Sequence, residues 1–378
     1  MNTERNPERP ESMMVDSASD NANRRPPIRV LVVEDSVSVR EFLVYLFASD
    51  QEIQVIGTAN NGEEALTAVQ DSKPDVITMD IHMPKMDGYT ATRVIMERFP
   101  TPVVIVTGSS SVREMATTIR ALEAGALAIV KRPAGIGHPD HAATARELIQ
   151  TVKLMSEVKV VKRWPQRRIA AEDGIKPLMP EPVRREVHLV AIGSSTGGPP
   201  VLQLLLSRLP KNFHVPIIIV QHIAQGFTEG FAQWLAESSG FPVSVAADGE
   251  LMQPGHAYIA PHGFQTTVDS HGHITLQGSN PENGHLPSVS CLFRSVAEAF
   301  GAGAVGILLT GMGKDGAVEL GLMKATGAIT VAQDKESSLV HGMPGEAILL
   351  SAASYVLPPD KIADVLTNLT NHPSKIGE

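Results

Sequence analysis

The sequence predicts two α/β domains in tandem, each a doubly wound parallel sheet, the second carrying some antiparallel strands. Three observations support this. The chain has 378 residues, too long for one typical domain. Its first half alternates short aliphatic runs with helical stretches through five βα units, the pattern of an open parallel sheet covered on both faces. Its second half repeats that alternation with different motifs, beyond a proline-rich stretch.

Residues 1–27 are polar, contain no apolar run, and read as a disordered tail, not a secretory signal. The first domain spans 28–148. It opens on the strand Ile28 to Val33, which runs into Glu34-Asp35, and a helix follows from about Val37 to Ala48. Strand Gln54 to Ala59, helix Gly62 to Gln70 and strand Val76 to Met79 lead to Asp80. A loop and a helix near Tyr89 to Arg98 precede the strand Val103 to Val106, which ends on Thr107. A helix from about Ser111 to Ala124 and a strand Ala128 to Val130 lead to Lys131-Arg-Pro133. Residues 149–185 read as a linker, helical at first, then basic from Lys162 to Arg168 and interrupted by Pro177, Pro180 and Pro182.

The second domain spans 186–370. Its buried-type strands are Leu189 to Ile192, Val215 to Val220 and Ala304 to Leu309, with shorter runs at Val243 to Ala246, His256 to Ala260, Gln265 to Val268 and His273 to Leu276. Helices are expected after Pro200, after Gly226, over Val289 to Phe300 and over Val318 to Ala325. A strand Ala328 to Ala332 and a last helix Gly345 to Leu350 close the domain. Gly301-Ala-Gly-Ala-Val-Gly306 spells a dinucleotide fingerprint, but it precedes a strand instead of following one and fails that context.

Composition narrows the function. A net charge of −9 argues against a general nucleic-acid binder. No apolar run approaches the roughly 20 residues that span a bilayer. The one cysteine, Cys291, allows no internal disulfide and points to a reducing, cytoplasmic setting; its neighbours look like the buried start of a helix, not a catalytic site.

In open parallel sheets ligands bind at the carboxyl ends of the strands. In the first domain those ends carry Glu34, Asp35, Asp80, Thr107 and Lys131-Arg132. Three carboxylates at one edge repel each other unless a cation neutralises them, and an all-oxygen site suits Mg²⁺. These residues, with Met79-Asp-Ile-His-Met-Pro84 and Asp87-Gly88, resemble the response-regulator receiver family over residues 28 to about 148. The resemblance implies that Asp80 accepts a phosphoryl group from a histidine kinase. It also implies that Glu34, Asp35 and Asp80 hold Mg²⁺ and that Thr107 bonds the phosphoryl group. Receivers usually carry lysine directly before the proline after the fifth strand; here that place is Arg132, and the lysine is Lys131, one residue earlier.

In the second domain Gly193-Ser-Ser-Thr-Gly-Gly198 sits on a strand-to-helix turn. Read as G-x-S-x-G it places Ser195 at a nucleophile elbow, with the helix N-terminus supplying free N–H groups for an oxyanion. Read otherwise it is a phosphate-cradling glycine loop or a plain turn. His222 and the loop holding Asp315 follow two other buried strands. Serine needs a base, histidine is the base near neutral pH, and a carboxylate fixes its tautomer. Asp315 also reads as a turn residue or a helix N-cap. The remaining histidines (His188, His214, His256, His262, His271, His273, His285 and His341) read as surface or structural, and His271-Gly-His273 lacks a third metal ligand.

Residues 186 to about 368 resemble the chemotaxis-type protein-glutamate methylesterase catalytic domain. The resemblance rests on Ala191 to Pro199, Val220-Gln-His222 with Gly226-Phe-Thr228, Pro254 to Pro261, Leu309 to Gly316 and His341-Gly-Met-Pro344. It implies Ser195 as nucleophile, His222 as base and Asp315 as orienting acid. Thr196 and Met312 would lie beside the nucleophile, the Met312 N–H as an oxyanion donor. The implied activity is hydrolysis of glutamyl methyl esters on methyl-accepting chemoreceptors, with glutamine deamidation as an extension, gated by the receiver. No nucleic acid and no direct membrane insertion are implied. Where the family has Arg-Pro-Ser-Val-Asp, this chain has Leu286-Pro-Ser-Val-Ser290; both departures are expected at the substrate side. The rivals are a receiver-linked transcription regulator, which lacks a basic recognition helix here, and a non-catalytic signalling scaffold.

Overall fold

The computed structural model describes residues 26–108, 120–158, 160, 186–278 and 280–370. The expected helix Ser111 to Ala124 lies largely outside these residues; residues 120–123 are helical. Residues 1–25 of the tail and the basic part of the linker also lie outside them.

In the first half, strands β1 (Ile28–Val33), β2 (Ile53–Ala59), β3 (Val76–Met79), β4 (Val103–Thr107) and β5 (Ala128–Lys131) form one sheet. Its order is β2-β1-β3-β4-β5 and every pairing is parallel. The chain steps to β2 on one side of β1 and to β3 on the other, so the carboxyl ends of β1 and β3 flank the switch point. Helices Val37–Ala48, Gly62–Ser72, Gly88–Arg98 and His141–Ser156 accompany the sheet. Capping sets where they start: the Asn61 side chain accepts the Glu64 N–H, and that of Asp87 the Thr90 N–H at 2.7 Å. The last of these helices runs without a break past residue 148.

The second half builds a seven-stranded sheet from β6 (Leu189–Ser194), β7 (Ile217–Gln221), β8 (Val243–Val245), β9 (Ala257–Ile259), β12 (Ala304–Leu308), β13 (Ile329–Gln333) and β14 (Tyr355–Leu357). The order is β14-β13-β12-β6-β7-β9-β8, parallel throughout. The antiparallel strands are a separate hairpin, β10 (Gln265–Val268) with β11 (Ile274–Gln277). The apolar run Leu189 to Ile192 is fully buried, as a strand covered on both faces must be. β6 lies between β7 and β12, so the sheet's switch point falls at its carboxyl end.

One expectation needs correction. The domain does not close on the helix near Gly345. After Met343–Leu349 come the edge strand β14 and a final helix, Pro359–Thr370. Three residues are too few for a period-2 signal, so β14 is defined by its pairing with β13, Val331 to Tyr355 through Gln333 to Leu357.

The two halves pack against each other. A single apolar cluster includes Leu122 and Ala126 of the first and Phe231 and Trp234 of the second. The Trp234 indole N–H donates to Glu123 Oε1 at 2.8 Å across the boundary.

Candidate active site and phosphoacceptor site

Register places the three chemical residues of the second half. β6 pairs with β7 through Gly193 to Val220 and Ser194 to Gln221, and with β12 through Gly193 to Leu308. The residues that leave the three strand ends are therefore neighbours. His222 N–H donates to Ser194 O at 3.0 Å, and Ser195 N–H to Thr310 O at 3.1 Å. Ser194 is buried, its Oγ donating to Gln221 Oε1 at 2.6 Å. Gln221 Nε2 in turn donates to Ser195 O at 3.0 Å, fixing the turn.

The turn needs its glycines. Gly197 has φ +81°, and a side chain on Gly198 would meet Gln221 Oε1 at 2.4 Å. The first turn of the helix Gly198–Arg208 does not supply the oxyanion donors that the sequence suggests. Gly198 N–H is used by Ser195 O at 2.8 Å, and Pro199 and Pro200 have no N–H to give. The N–H groups of Thr196, Gly197 and Met312 have no acceptor among the described residues. Met312 follows Gly311, where a side chain would come within 2.8 Å of Ser195 Cβ.

Asp315 is not the cap of its own helix. It sits at the N-terminus of another, Val289–Phe300, accepting from Val289 N–H at 2.7 Å, Ser290 N–H at 3.2 Å and Ser288 Oγ at 2.7 Å. Helix-terminal N–H groups favour an anion. Burial opposes that charge, but the hydrogen bond and charge of His222, with Ser288 and Ser290, outweigh it. The carboxyl is held well below the usual range. An ionised carboxylate only accepts, so the contact from His222 Nε2 to Asp315 Oδ2 at 3.0 Å puts the proton on Nε2. His222 Nδ1 is then the basic nitrogen. It is buried and has no hydrogen-bond partner among the described residues.

Ser195, Thr196, Gly197, Gln221 and His222 line a cleft of about 540 Å³. Its other wall comes from the first half: Leu127, Ile129, Glu147 and Thr151 among others. His285 and His262 line it too. His285 is the residue that sequence reasoning missed. Its ring stacks on His222 with centroids 3.8 Å apart and planes 4° from parallel. Of the two departures in Leu286 to Ser290, Leu286 faces the cleft as expected, but Ser290 does not. It is buried behind Asp315, where its Oγ donates to Glu319 Oε2 at 2.7 Å and accepts Gly316 N–H at 2.9 Å.

At the switch point of the first sheet, Glu34, Asp35 and Asp80 offer oxygens within 4.8 Å of one another. Glu34 and Asp80 are buried and Asp35 is exposed. Burial and the Asp80 charge push the Glu34 carboxyl up to about 7, with Arg132 opposing; burial likewise raises Asp80. Arg132 is the cation that reaches this site. Its Nη2 lies 3.0 Å from Glu34 Oε2 and 3.8 Å from Asp80 Oδ1, while Lys131 is exposed. Thr107 is buried at the end of β4, its carbonyl accepting Arg132 N–H at 2.8 Å. Three clustered carboxylates, of which Glu34 and Asp80 have raised proton affinity, with the Arg132 cation facing them, form a donor set that suits a divalent ion.

Fold and sites together define a two-domain α/β protein with a carboxylate cluster on one sheet edge and a Ser, His, Asp constellation on the other. The family model for the response regulator receiver domain matches residues 30–142, and that for CheB methylesterase matches residues 190–366. The protein-glutamate methylesterase/protein-glutamine glutaminase of Nitrosospira multiformis is 58% identical over 343 residues, covering 90% of this chain and 97% of that one. A Geobacter metallireducens relative with the same description is 53% identical, covering 90% of this chain and 99% of that one. The solved catalytic domain of Thermotoga maritima CheB methylesterase is 39% identical over 49% of this chain and 100% of its own, with a TM-score of 0.47. The chain belongs to the protein-glutamate methylesterase/protein-glutamine glutaminase family.

Proposed function

We propose that this enzyme hydrolyses glutamyl methyl esters on methyl-accepting chemoreceptors and deamidates receptor glutamines by the same route, under control of its receiver. The observation that carries the reading is the pairing of an ionised Asp315 with His222 Nε2, which leaves Nδ1 as an unpartnered base at the edge where Ser195 stands.

In this mechanism the Ser195 hydroxyl gives its proton to His222 Nδ1 and its oxygen attacks the ester carbonyl. Asp315 stabilises the imidazolium that forms. The tetrahedral oxyanion takes the N–H groups of Met312 and Thr196. Methanol leaves with the proton from His222, and water repeats the sequence to release the glutamate. An amide passes through the same oxyanion, with ammonia leaving in place of methanol.

Asp80 is the phosphoacceptor, its phosphodonor a histidine kinase. Glu34, Asp35 and Asp80 would hold Mg²⁺, which neutralises charge on the phosphoryl oxygens when bound. Thr107 and Arg132 serve as switch residues, and Lys131 lies outside the cluster. The receiver's share of the cleft wall supports a gate in which the unphosphorylated domain covers the mouth of the Ser195 site. A cytoplasmic setting is supported by the single cysteine, and no helix among the described residues is long and apolar enough to cross a membrane.

Methanol release from methylated receptors tests the reading. The Ser195→Ala protein should lose several orders of magnitude in rate. A signalling scaffold would show no release to lose.

A further inference from the structure

We propose that His285 is a positioning residue for the base: its ring is the platform that fixes the plane of the His222 imidazole. The inference rests on the reading of His222 as general base and adds a residue to it.

Among the described residues the His222 ring has a single hydrogen bond, from Nε2 to Asp315 Oδ2 at 3.0 Å. One such bond fixes one point of the ring and leaves rotation about that contact free. The second nitrogen is buried without a partner among the described residues and fixes nothing. The feature that defines the plane is the flat contact with His285, 3.8 Å between centroids and 4° between planes. Aim matters because Nδ1 must meet the serine hydroxyl in line, and a displacement of about 1 Å can cost roughly 10²-fold in rate.

The platform is itself held. His285 N–H donates to Glu282 O at 2.9 Å, and Glu282 N–H returns to His285 O at 3.0 Å. Gln265 Nε2 also donates to His285 O, at 3.2 Å. Burial and the neighbouring His222 push the His285 imidazole down to about 4, with Asp315 opposing, so its ring is neutral at neutral pH. A neutral aromatic face beside a ring that becomes cationic during proton transfer attracts it, where a second cation would repel it.

Methanol release from methylated receptor membranes, measured with the full chain, Mg²⁺ and a small-molecule phosphodonor, tests the proposal. His285→Ala and His285→Gln should each lower kcat about 10- to 100-fold, with KM changed less than about twofold. His285→Phe keeps a flat ring without a titrating nitrogen and should restore kcat to within about threefold of the parent. Unchanged kcat in His285→Gln would overturn the proposal. So would an equal loss in His285→Phe, which would assign the role to a ring nitrogen. If the alanine protein does not fold, the phenylalanine and glutamine pair decides. Ser195→Ala in the same assay separates the two levels: retained release there overturns the triad reading, whereas loss there with full activity in His285→Gln overturns only the platform.

Discussion

The Asp315 carboxylate accepts from His222 Nε2, Asn283 Nδ2, Ser288 Oγ and the N–H groups of Val289 and Ser290. A hydrogen bond to the His222 ring and closure of a helix end thus meet in one side chain. Asp315→Asn should lower kcat by about 10⁴-fold, because an amide can donate to Nε2 and select the wrong tautomer; steady-state methanol release checks this. The neighbouring His285 gives a pH prediction. Its imidazole falls from the ordinary 6.5 to about 4 in the fold, chiefly through burial, so the folded state binds fewer protons than the unfolded chain between those values. Its contribution is complete above about pH 6.5 and is lost as the pH falls towards about 4. Thermal unfolding midpoints should drop across that window, and His285→Phe should flatten the drop. Ser195, His222 and Asp315 were legible in the sequence because each follows an apolar run that reads as a buried strand. His285 was not, because it follows a turn and its role rests on a ring 63 positions away in the chain.

Among the elements, the β6 turn is the most constrained. A side chain on Gly198 meets Gln221 Oε1 at 2.4 Å and Ser194 Cβ at 2.8 Å. Gly198→Ala should cost about 1–3 kcal/mol of stability, read from the denaturant midpoint, and should disturb the Ser195 turn at the same time. The long strands and helices were legible because their apolar runs follow period or length rules. β14 was not, since three residues at a sheet edge carry too little pattern and depend on β13 for definition. Of the oxyanion donors expected from the sequence, the helix N-terminus falls away, whereas the Met312 N–H has no acceptor among the described residues. Two prolines in the first turn of Gly198–Arg208 remove N–H groups that a generic helix would offer. That arrangement leaves the N–H groups of Thr196 and Met312, in the loops after β6 and β12, as the candidates.

For the whole molecule, the sequence indicated two domains in one chain and a receiver placed over the Ser195 site, but not which residues meet, since packing between domains leaves no periodic signature. The shared face includes the cleft, with Glu147 and Thr151 of one half and Ser195 and His222 of the other lining it. Trp234 and Glu123 tie the halves by one hydrogen bond at 2.8 Å. Such a bond is worth about 1 kcal/mol net, so Trp234→Phe should raise the rate of the unphosphorylated enzyme about fivefold. A methanol-release assay without phosphodonor would show this. The most direct test of a serine esterase gated by its receiver is methanol release by the full chain, with and without a small-molecule phosphodonor and Mg²⁺. It would compare the parent, Asp80→Asn and Ser195→Ala proteins. The account predicts a rise on adding phosphodonor in the parent, no rise in Asp80→Asn, and no release from Ser195→Ala in either condition. Release by Ser195→Ala at the parent rate, or the same rise in Asp80→Asn as in the parent, would contradict it.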